Sequence, residues 1–336
     1  MNSQRNGWRA NLQHRTFGVA LTIAAGLMLA GTLAAPAAAQ SIPEGDIHLV
    51  VAFPPGSGSD VLVRFLAEKL RPVSGRTVVV ENKPGAAGNI ATQYMTRSKP
   101  NGLTIFVHPA NTLASNFHLI KNNPVNAVKD VQVAATINKQ TVMLVVDAKR
   151  PWKTMGDLTA HLRKVGDKGT YATAGSSSVI MCALYKDAAK LESVEVNYKT
   201  APDSLNDMAS GVIDFACHDP LFALTHQREG RFRILGVATG ERLTAAPDLP
   251  TMTEAGYPMD LSGWFAAMVP AGTPKSIVQQ VNSWFGEITS QEDTKRFLQN
   301  SGSDVWVTTP EEGQAQLAKD IEDWGKYVSI AKLLPQ

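Results

Sequence analysis

The sequence has few of the residues that mark metal sites. Its 336 residues include only two cysteines, Cys182 and Cys217, and seven histidines. Neither an HExxH pair nor a closely spaced cysteine pair occurs, and these are the spacings by which zinc sites are recognised in sequences. We therefore expect neither a metal ion nor a cofactor in this protein.

The chain also lacks an excess of charge of one sign. It has 32 Lys and Arg against 30 Asp and Glu, for a formal net charge of +2. A nucleic-acid partner would require a basic stripe, so none is expected. After residue 39 no apolar run reaches the roughly 18 residues of a membrane span. The length suits two domains rather than one.

The first 39 residues differ from the rest. A basic start is followed by the apolar run FGVALTIAAGLMLAGTLAAPAAA, and Ala37 and Ala39 supply the A-x-A spacing read by signal peptidases. This pattern predicts a signal peptide cleaved before Gln40, and hence a periplasmic protein. A membrane anchor is the alternative because the apolar run is long, but the small-residue end rich in Ala and Pro favours cleavage.

Export leaves the state of the two cysteines open. In an oxidising compartment Cys182 and Cys217 can form a disulfide. Two small buried residues are the favoured interpretation, because neither cysteine lies in a loop-rich small scaffold that needs a disulfide.

Strand-like and helix-like segments alternate along the chain. DIHLVVAF (46–53), TVVVEN (77–82) and LTIFVHP (103–109) are typical of strands, and apolar residues recur at helical spacing after the first two. This alternation predicts parallel α/β layers. We predict one domain over residues 40–146 plus 264–336 and a second over 147–263.

Three loops rich in small residues each join a predicted strand to a predicted helix. We call FPPGSGSD (53–60) the first loop, PGAAGN (84–89) the second loop and GSSS (175–178) the third loop. Backbone amides at a helix start are unpaired and carry partial positive charge, which suits an anion such as a carboxylate. Ligands of open α/β sheets lie at the carboxyl ends of strands, where all three loops fall.

The first loop does not match a phosphate-binding motif. Val61 occupies the place of the last glycine in both the Walker and the dinucleotide patterns, and no lysine follows it. Ser57 and Asp60 have the spacing of a helix cap instead. Because a carboxylate facing an anion site would repel the anion, we expect Asp60 to fold back on the backbone.

Five blocks, in order, resemble the Bug/TctC family of periplasmic solute receptors, the binding components of tripartite tricarboxylate transporters. They are FPPGSGSDVLVRFLAEKL, VVVENKPGAAGNIAT, NYKTAPDSLNDMASGVIDFA, LPTMTEAGYPMDLSGWFAAMVPAGTPKSIVQQVN and SGSDVWVTTPEEGQAQLAKDIEDWGKYV. The resemblance implies two Rossmann-like domains joined by two crossover strands, of periplasmic binding protein type II, with the ligand in the interdomain cleft. It implies a monomer that captures a di-, tri- or aromatic carboxylate for membrane permease subunits.

The family holds one carboxylate of its ligand through loop amides, hydroxyls and waters. Carried over to this sequence, the implied ligand-binding residues are Gly56, Ser57, Gly58, Ser59, Ala86, Ala87, Gly88, Asn89, Ser176, Ser177 and Ser178. Two positions depart from the family pattern, because Ser57 replaces a common glycine and Met181 stands where a histidine often occurs. An apolar wall at Met181 favours a partly apolar or aromatic carboxylate over a highly charged tricarboxylate.

A few other residues are candidates for the cleft. Phe53 is placed to stack on a ligand ring, and Asn111 follows a strand as a polar lining residue. His218 and Asp219 end a predicted strand, where they either contact a distal ligand group or simply cap the strand end. Trp264 also flanks the cleft, but core packing is the favoured interpretation for it.

The sequence does not favour an enzyme. GSSSV lacks the second glycine of the G-x-S-x-G motif, and no histidine has a recognisable spacing with serine and aspartate. A receptor that senses its ligand for a signalling system is an alternative to transport, since it would use the same pocket. A secreted serine hydrolase is the less favoured alternative.

Overall fold

Residues 40–335 are described by the computed structural model, so the signal peptide predicted over residues 1–39 lies outside the described residues. Within that range the chain builds two β-sheets, with helices connecting successive strands. No helix in this range is both long and apolar enough to cross a membrane.

The first sheet has six strands. They are β1 (Ile47–Val51), β2 (Val78–Asn82), β3 (Thr104–Pro109), β4 (Val131–Gln140), β10 (Gly263–Pro270) and β11 (Asp304–Val305), in the order β11–β4–β10–β3–β1–β2. Strand β1 pairs in parallel with β2 and β3, and β10 runs antiparallel between β3 and β4. Val50 and Leu49 pack into different hydrophobic clusters, so β1 is buried on both faces. This burial explains its uninterrupted apolar sequence.

The second sheet has five strands. They are β5 (Met143–Asp147), β6 (Thr170–Thr173), β7 (Val194–Asn197), β8 (Phe215–His218) and β9 (Phe232–Val237), in the order β7–β6–β8–β5–β9. Strand β6 is parallel to β7 and β8, whereas β5 is antiparallel to β8 and β9.

Helices of both short and long lengths connect these strands. They are α1 (Gly58–Ser74), α2 (Asn89–Thr96), α3 (Ala110–Leu119), α4 (Ala127–Asp130), α5 (Met155–Val165), α6 (Ser176–Ala189), α7 (Leu205–Ser210), α8 (Pro220–Arg228), α9 (Lys275–Ser290), α10 (Glu292–Asn300) and α11 (Pro310–Ile330). Short 3₁₀ turns lie at Ala86–Gly88, Gly166–Lys168 and Ala201–Ser204.

The chain crosses between the two sheets twice. It leaves the first sheet after Gln140, enters the second at Met143, and returns between Val237 and Gly263. We call residues 40–140 with 263–335 the first lobe, and residues 143–262 the second lobe. The α/β architecture with two sheets and two crossings, predicted from the sequence, is confirmed.

The sequence-based domain boundaries stay a prediction. The predicted first boundary, between residues 146 and 147, falls inside β5, whose pairing with β8 and β9 places the whole strand in the second sheet. Sheet membership therefore changes at residues 141–142. The predicted second boundary, at residue 264, lies within one residue of the start of β10.

Cys182 and Cys217 form a disulfide, which answers the question that the sequence left open. The bond joins α6 to β8, two elements of the second lobe. The hydroxyl of Ser178 also donates to the carbonyl of Cys217, so the start of α6 is tied to β8 by a second contact. Both elements begin or end at segments predicted to bind the ligand.

Replacing both cysteines, in Cys182→Ser/Cys217→Ser, is expected to lower the free energy of unfolding by roughly 3 to 4 kcal/mol, because the bond closes a loop of 35 residues in the unfolded chain. Urea denaturation measures the change. Dithiothreitol should lower the stability of the wild type and leave the double variant unaffected. Equal stability of the oxidised wild type and the variant would contradict the prediction.

Candidate functional site

The three predicted loops lie at the carboxyl ends of parallel strands. The first loop follows β1, the second follows β2 beside it, and the third follows β6 in the second lobe. A helix starts within or at the end of each loop, namely α1 at Gly58, α2 at Asn89 and α6 at Ser176. The structure thus gives each loop the strand–loop–helix setting that the sequence predicted.

The first loop satisfies much of its own hydrogen bonding. The hydroxyl of Ser57 accepts from the amide of Asp60 at 3.2 Å, and Asp60 Oδ2 accepts from the amide of Gly56 at 2.9 Å. Arg64 and Asn82 also donate to the Asp60 carboxylate. Burial acts to raise the pKa of Asp60, but these hydrogen bonds outweigh it and the pKa is lowered. The prediction that Asp60 folds back as a cap is confirmed.

The second loop has an unusual backbone. Gly85, Ala86, Ala87 and Gly88 all have positive φ, from 48° to 122°. This region suits glycine but costs roughly 1 to 2 kcal/mol for a residue with a Cβ, so the two alanines are strained. Helix α2 then begins at Asn89 with no side chain capping it. The backbone N–H of Asn89 donates to the carbonyl of Ala86, so the amides that no side chain caps begin one residue later, at Ile90.

The third loop likewise leads into an uncapped helix. Gly175 has a φ of 91°, and α6 begins at Ser176 with no side-chain cap. Ser177 accepts a hydrogen bond from Asn111 Nδ2 at 2.8 Å, which leaves its own O–H available as a donor. Ser178 is used internally, because its hydroxyl donates to Cys217 and accepts from the amide of Ala174.

Helix α3 brings the second and third loops together. Asn116 Nδ2 donates to the carbonyl of Ala87 at 2.7 Å, and Asn116 Oδ1 accepts from the hydroxyl of Ser176 at 2.7 Å. Asn111, one turn and a half earlier, makes the bond to Ser177 described above. Two asparagines of one helix thus connect a loop of the first lobe with a loop of the second.

Asn116 was missed by the sequence reasoning, although a signal for it exists. Helix α3 carries buried polar side chains at Asn111, Thr112, Ser115 and Asn116, directly after a strand. Polar residues on the buried side of a helix need hydrogen-bond partners, and in this case the partners include the loops of the site.

His108 lies beneath the second loop and was also missed. Its side chain has no exposed surface, and its ring stacks between Phe53 and Phe106 with centroid distances of 5.4 and 4.6 Å. A Cβ placed on Gly88 would lie 3.2 Å from ring atoms Cε1 and Nε2. Neither ring nitrogen has a hydrogen-bond partner among the described residues. Burial lowers the pKa of His108 to about 3, so the ring is neutral.

Asp219 lies against the first loop from the second lobe. Its Oδ1 accepts from the amide of Phe222 at 3.0 Å, which caps α8. The same oxygen would lie 2.7 Å from a Cβ on Gly58. Burial raises the pKa of Asp219, and backbone amides at Phe222 and Leu221 act in the opposite direction. A cavity of about 20 Å³, large enough for one water, lies between these elements.

His218 is not brought to the loops. Its ring stacks on Phe232 and meets Phe222 edge-on, and its Nε2 lies 3.4 Å from the hydroxyl of Ser204. Burial lowers the pKa of His218 to about 3. These contacts all lie within the second lobe, so the structure favours a packing role for His218 over the predicted ligand contact.

The structure also shows the positions of three other residues considered in the sequence. Trp264 is buried, and its Nε1 donates to Asp320 at 2.6 Å, which agrees with the favoured interpretation as a core residue. Met181 has no exposed surface and belongs to the buried core, so it does not offer the apolar wall that the sequence predicted. Asn89 donates its side-chain amide to Asn123, which leaves only its backbone for a ligand.

The predicted ligand-binding residues offer hydrogen-bond donors without positive charge. None of the predicted ligand-binding residues is a lysine or an arginine. The described residues also contain no group of three His, Cys, Asp or Glu side chains able to hold a metal ion. The arrangement is suited to recognising an anion by dipoles and hydroxyls rather than by ion pairs.

Comparisons with known proteins agree with one another. The sequence pattern of the tripartite tricarboxylate transporter family receptor (TctC) matches residues 62–332. Protein BugT of Bordetella pertussis is 28% identical over 300 residues, covering 88% of this chain and 92% of BugT. The periplasmic binding protein BugD has a TM-score of 0.80 and 26% identity over 88% of this chain and 100% of its own. R. palustris Rpa4515 with adipate has a TM-score of 0.82 and 25% identity, over 88% and 99%.

Stability is expected to fall as the pH drops from about 6.5 towards 3. The unfolded chain protonates its histidines near pH 6.5, whereas folded His108 and His218 resist protonation until about pH 3. Each should therefore contribute a slope of about 1.4 kcal/mol per pH unit in this window. Urea denaturation at pH 7, 5.5 and 4 should show a shallower slope for His108→Gln/His218→Gln. An identical slope would refute the assignment.

Proposed function

Because this chain belongs to the receptor family of tripartite tricarboxylate transporters, whose pattern matches residues 62–332, we propose that it is a periplasmic solute-binding protein for an organic carboxylate. One observation in particular supports the proposal. The starts of α2 and α6, in different lobes, are both uncapped and are held together by the asparagines of α3.

A carboxylate fits this arrangement because it is an acceptor on both oxygens. Amides at a helix start donate to such a group in the favourable direction of the helix dipole. The free O–H of Ser177 supplies a further donor beside α6. Hydrogen bonds to a charged acceptor are shorter and stronger than neutral ones, so lysine and arginine are not required.

The three loops contribute different hydrogen-bond donors to the proposed carboxylate site. The second loop, Ala86 to Asn89, and the third loop at Ser176 and Ser177 provide the uncapped helix starts. In the first loop Ser57 and Asp60 are engaged with each other, so Gly58 and Ser59 contribute through their backbone amides. Phe53 belongs to the first loop and stacks on His108. Asn111 donates a hydrogen bond to Ser177 of the third loop.

The proposed physiological role is delivery to a transporter. The protein would be exported through the cleaved signal peptide over residues 1–39, act as a monomer, bind its carboxylate between the lobes and pass it to membrane permease subunits. The adipate in R. palustris Rpa4515 makes a linear dicarboxylate the first candidate to test. Tricarboxylates and aromatic acids remain in the proposed class, and sensing for a signalling system is the alternative use of the same site.

The serine hydrolase alternative has little support from the site. The hydroxyls of Ser176, Ser177 and Ser178 contact Asn116, Asn111 and the carbonyl of Cys217. A nucleophilic serine needs a base within hydrogen-bond reach, and none of these three partners is a base. The family is also one of receptors.

A thermal-shift screen tests the proposal. At least one acid among adipate, citrate and benzoate is expected to raise the Tm, because a ligand that binds only the folded state stabilises it by mass action. If no carboxylate in the screen or in a wider set of organic acids raises the Tm, the proposed function is wrong. Conversion of the acid during incubation would favour an enzyme instead.

Ser177→Ala is expected to weaken binding of the best acid in that screen roughly 10- to 100-fold, since it removes one hydrogen bond to a charged group, worth about 1.5 to 3 kcal/mol. Isothermal titration calorimetry gives the Kd. The matched control is Ser210→Ala, at an exposed serine of the second lobe. Equal Kd values for Ser177→Ala and the wild type would remove Ser177 from the site.

A further inference from the structure

His108 is a polar residue in a place where an apolar one would pack as well. It ends an otherwise apolar stretch of β3, has no exposed surface, and touches Phe53 and Phe106 through its ring faces. Burying an unpaired ring nitrogen is destabilising, and nearly all buried polar groups in native proteins have a partner. Both nitrogens of His108 lack one among the described residues. This cost indicates a function.

The orientation of the ring points to the second loop. The edge that carries Cε1 and Nε2 faces Gly88, close enough that a Cβ there would lie 3.2 Å from both atoms. Gly88 immediately precedes α2, the helix whose first amides have no side-chain cap. The imidazole edge therefore faces the residue at which the second loop meets α2.

Stacking, rather than hydrogen bonding, fixes this orientation. The ring planes of His108 and Phe106 differ by 16°, and those of His108 and Phe53 differ by 28°. Phe53 belongs to the first loop, so the sandwich connects His108 to two of the three loops. A ring held in this way is preorganised and loses little entropy when it meets a partner.

We propose that His108 is a specificity-determining contact of the bound carboxylate: when the ligand displaces the second loop at Gly88 from the buried ring, the neutral imidazole donates an N–H hydrogen bond to it beside the start of α2. The inference rests on the proposed function and adds a side-chain donor to a grip otherwise built from amides and hydroxyls. A neutral donor strengthens the binding of an oxygen acceptor without introducing a charge into the buried site.

His108→Phe separates this role from a structural one. Phenylalanine keeps the stack and removes both unpaired nitrogens, so the free energy of unfolding without ligand should stay the same or rise. The affinity for the best acid among adipate, citrate and benzoate should nevertheless fall roughly 10- to 100-fold, as expected for a lost bond to a charged group. A purely structural histidine would lower stability and leave the Kd unchanged.

Two further variants, one that keeps a donor and one control, are compared with His108→Phe. His108→Gln keeps a donor, and its Kd should lie between those of the wild type and His108→Phe. The matched control is His226→Phe, which changes an imidazole in the aromatic cluster of Phe222 and Phe232 within the second lobe. It should bind the acid as the wild type does.

¹⁵N NMR reports on hydrogen bonding at the ring nitrogens, which distinguishes a ligand contact from a change in packing. In protein labelled with ¹⁵N-histidine, the ring signals of His108 are assigned by their absence in His108→Phe. Saturation with the acid should shift these ring nitrogens as one becomes a fixed donor. Unshifted signals, or a Kd equal to that of the wild type in His108→Phe, overturn the role of His108 while leaving carboxylate binding intact. Failure of the wild type to bind any acid overturns both proposals.

Discussion

The side-chain amide of Asn116 connects the two halves of the site. It donates to the carbonyl of Ala87 and accepts from the hydroxyl of Ser176, and it is almost completely buried. The donor bond holds a second loop whose two alanines occupy an unfavourable backbone region. The acceptor bond fixes the first residue of α6. Together with the bond from Asn111 to Ser177, these two bonds fix the starts of α2 and α6 relative to one another.

The site can do without cationic side chains because the fold supplies the donors. Backbone amides at two helix starts are fixed by the loops that precede them, whereas a lysine or arginine would lose several rotatable bonds on binding. This use of backbone donors requires the strained alanines and glycines of the loops and the buried asparagines of α3. A receptor of the proposed kind would recognise the geometry of an acceptor pair more than the total charge of its ligand.

The sequence predicted the fold and the three loops because both depend on local patterns. Apolar strands, glycines before helices and the pairing of Ser57 with Asp60 can all be recognised within about ten residues. His108 could not be found in this way, and Asn116 could be found only as one of several polar residues directly after β3. Their roles depend on which side chains from distant segments surround them, such as Gly88 near His108 and Ser176 near Asn116. The same limit explains Met181, which proved to be a core residue.

The disulfide between Cys182 and Cys217 has a consequence for the shape of the ligand. It links the helix that starts at the third loop to the strand that ends beside Asp219, so these two parts of the second lobe keep a fixed separation. Local rearrangement within that lobe is therefore restricted. Adjustment to acids of different length would therefore fall on the contacts between the lobes, such as those of Asn111 and Asn116, rather than on the second lobe itself.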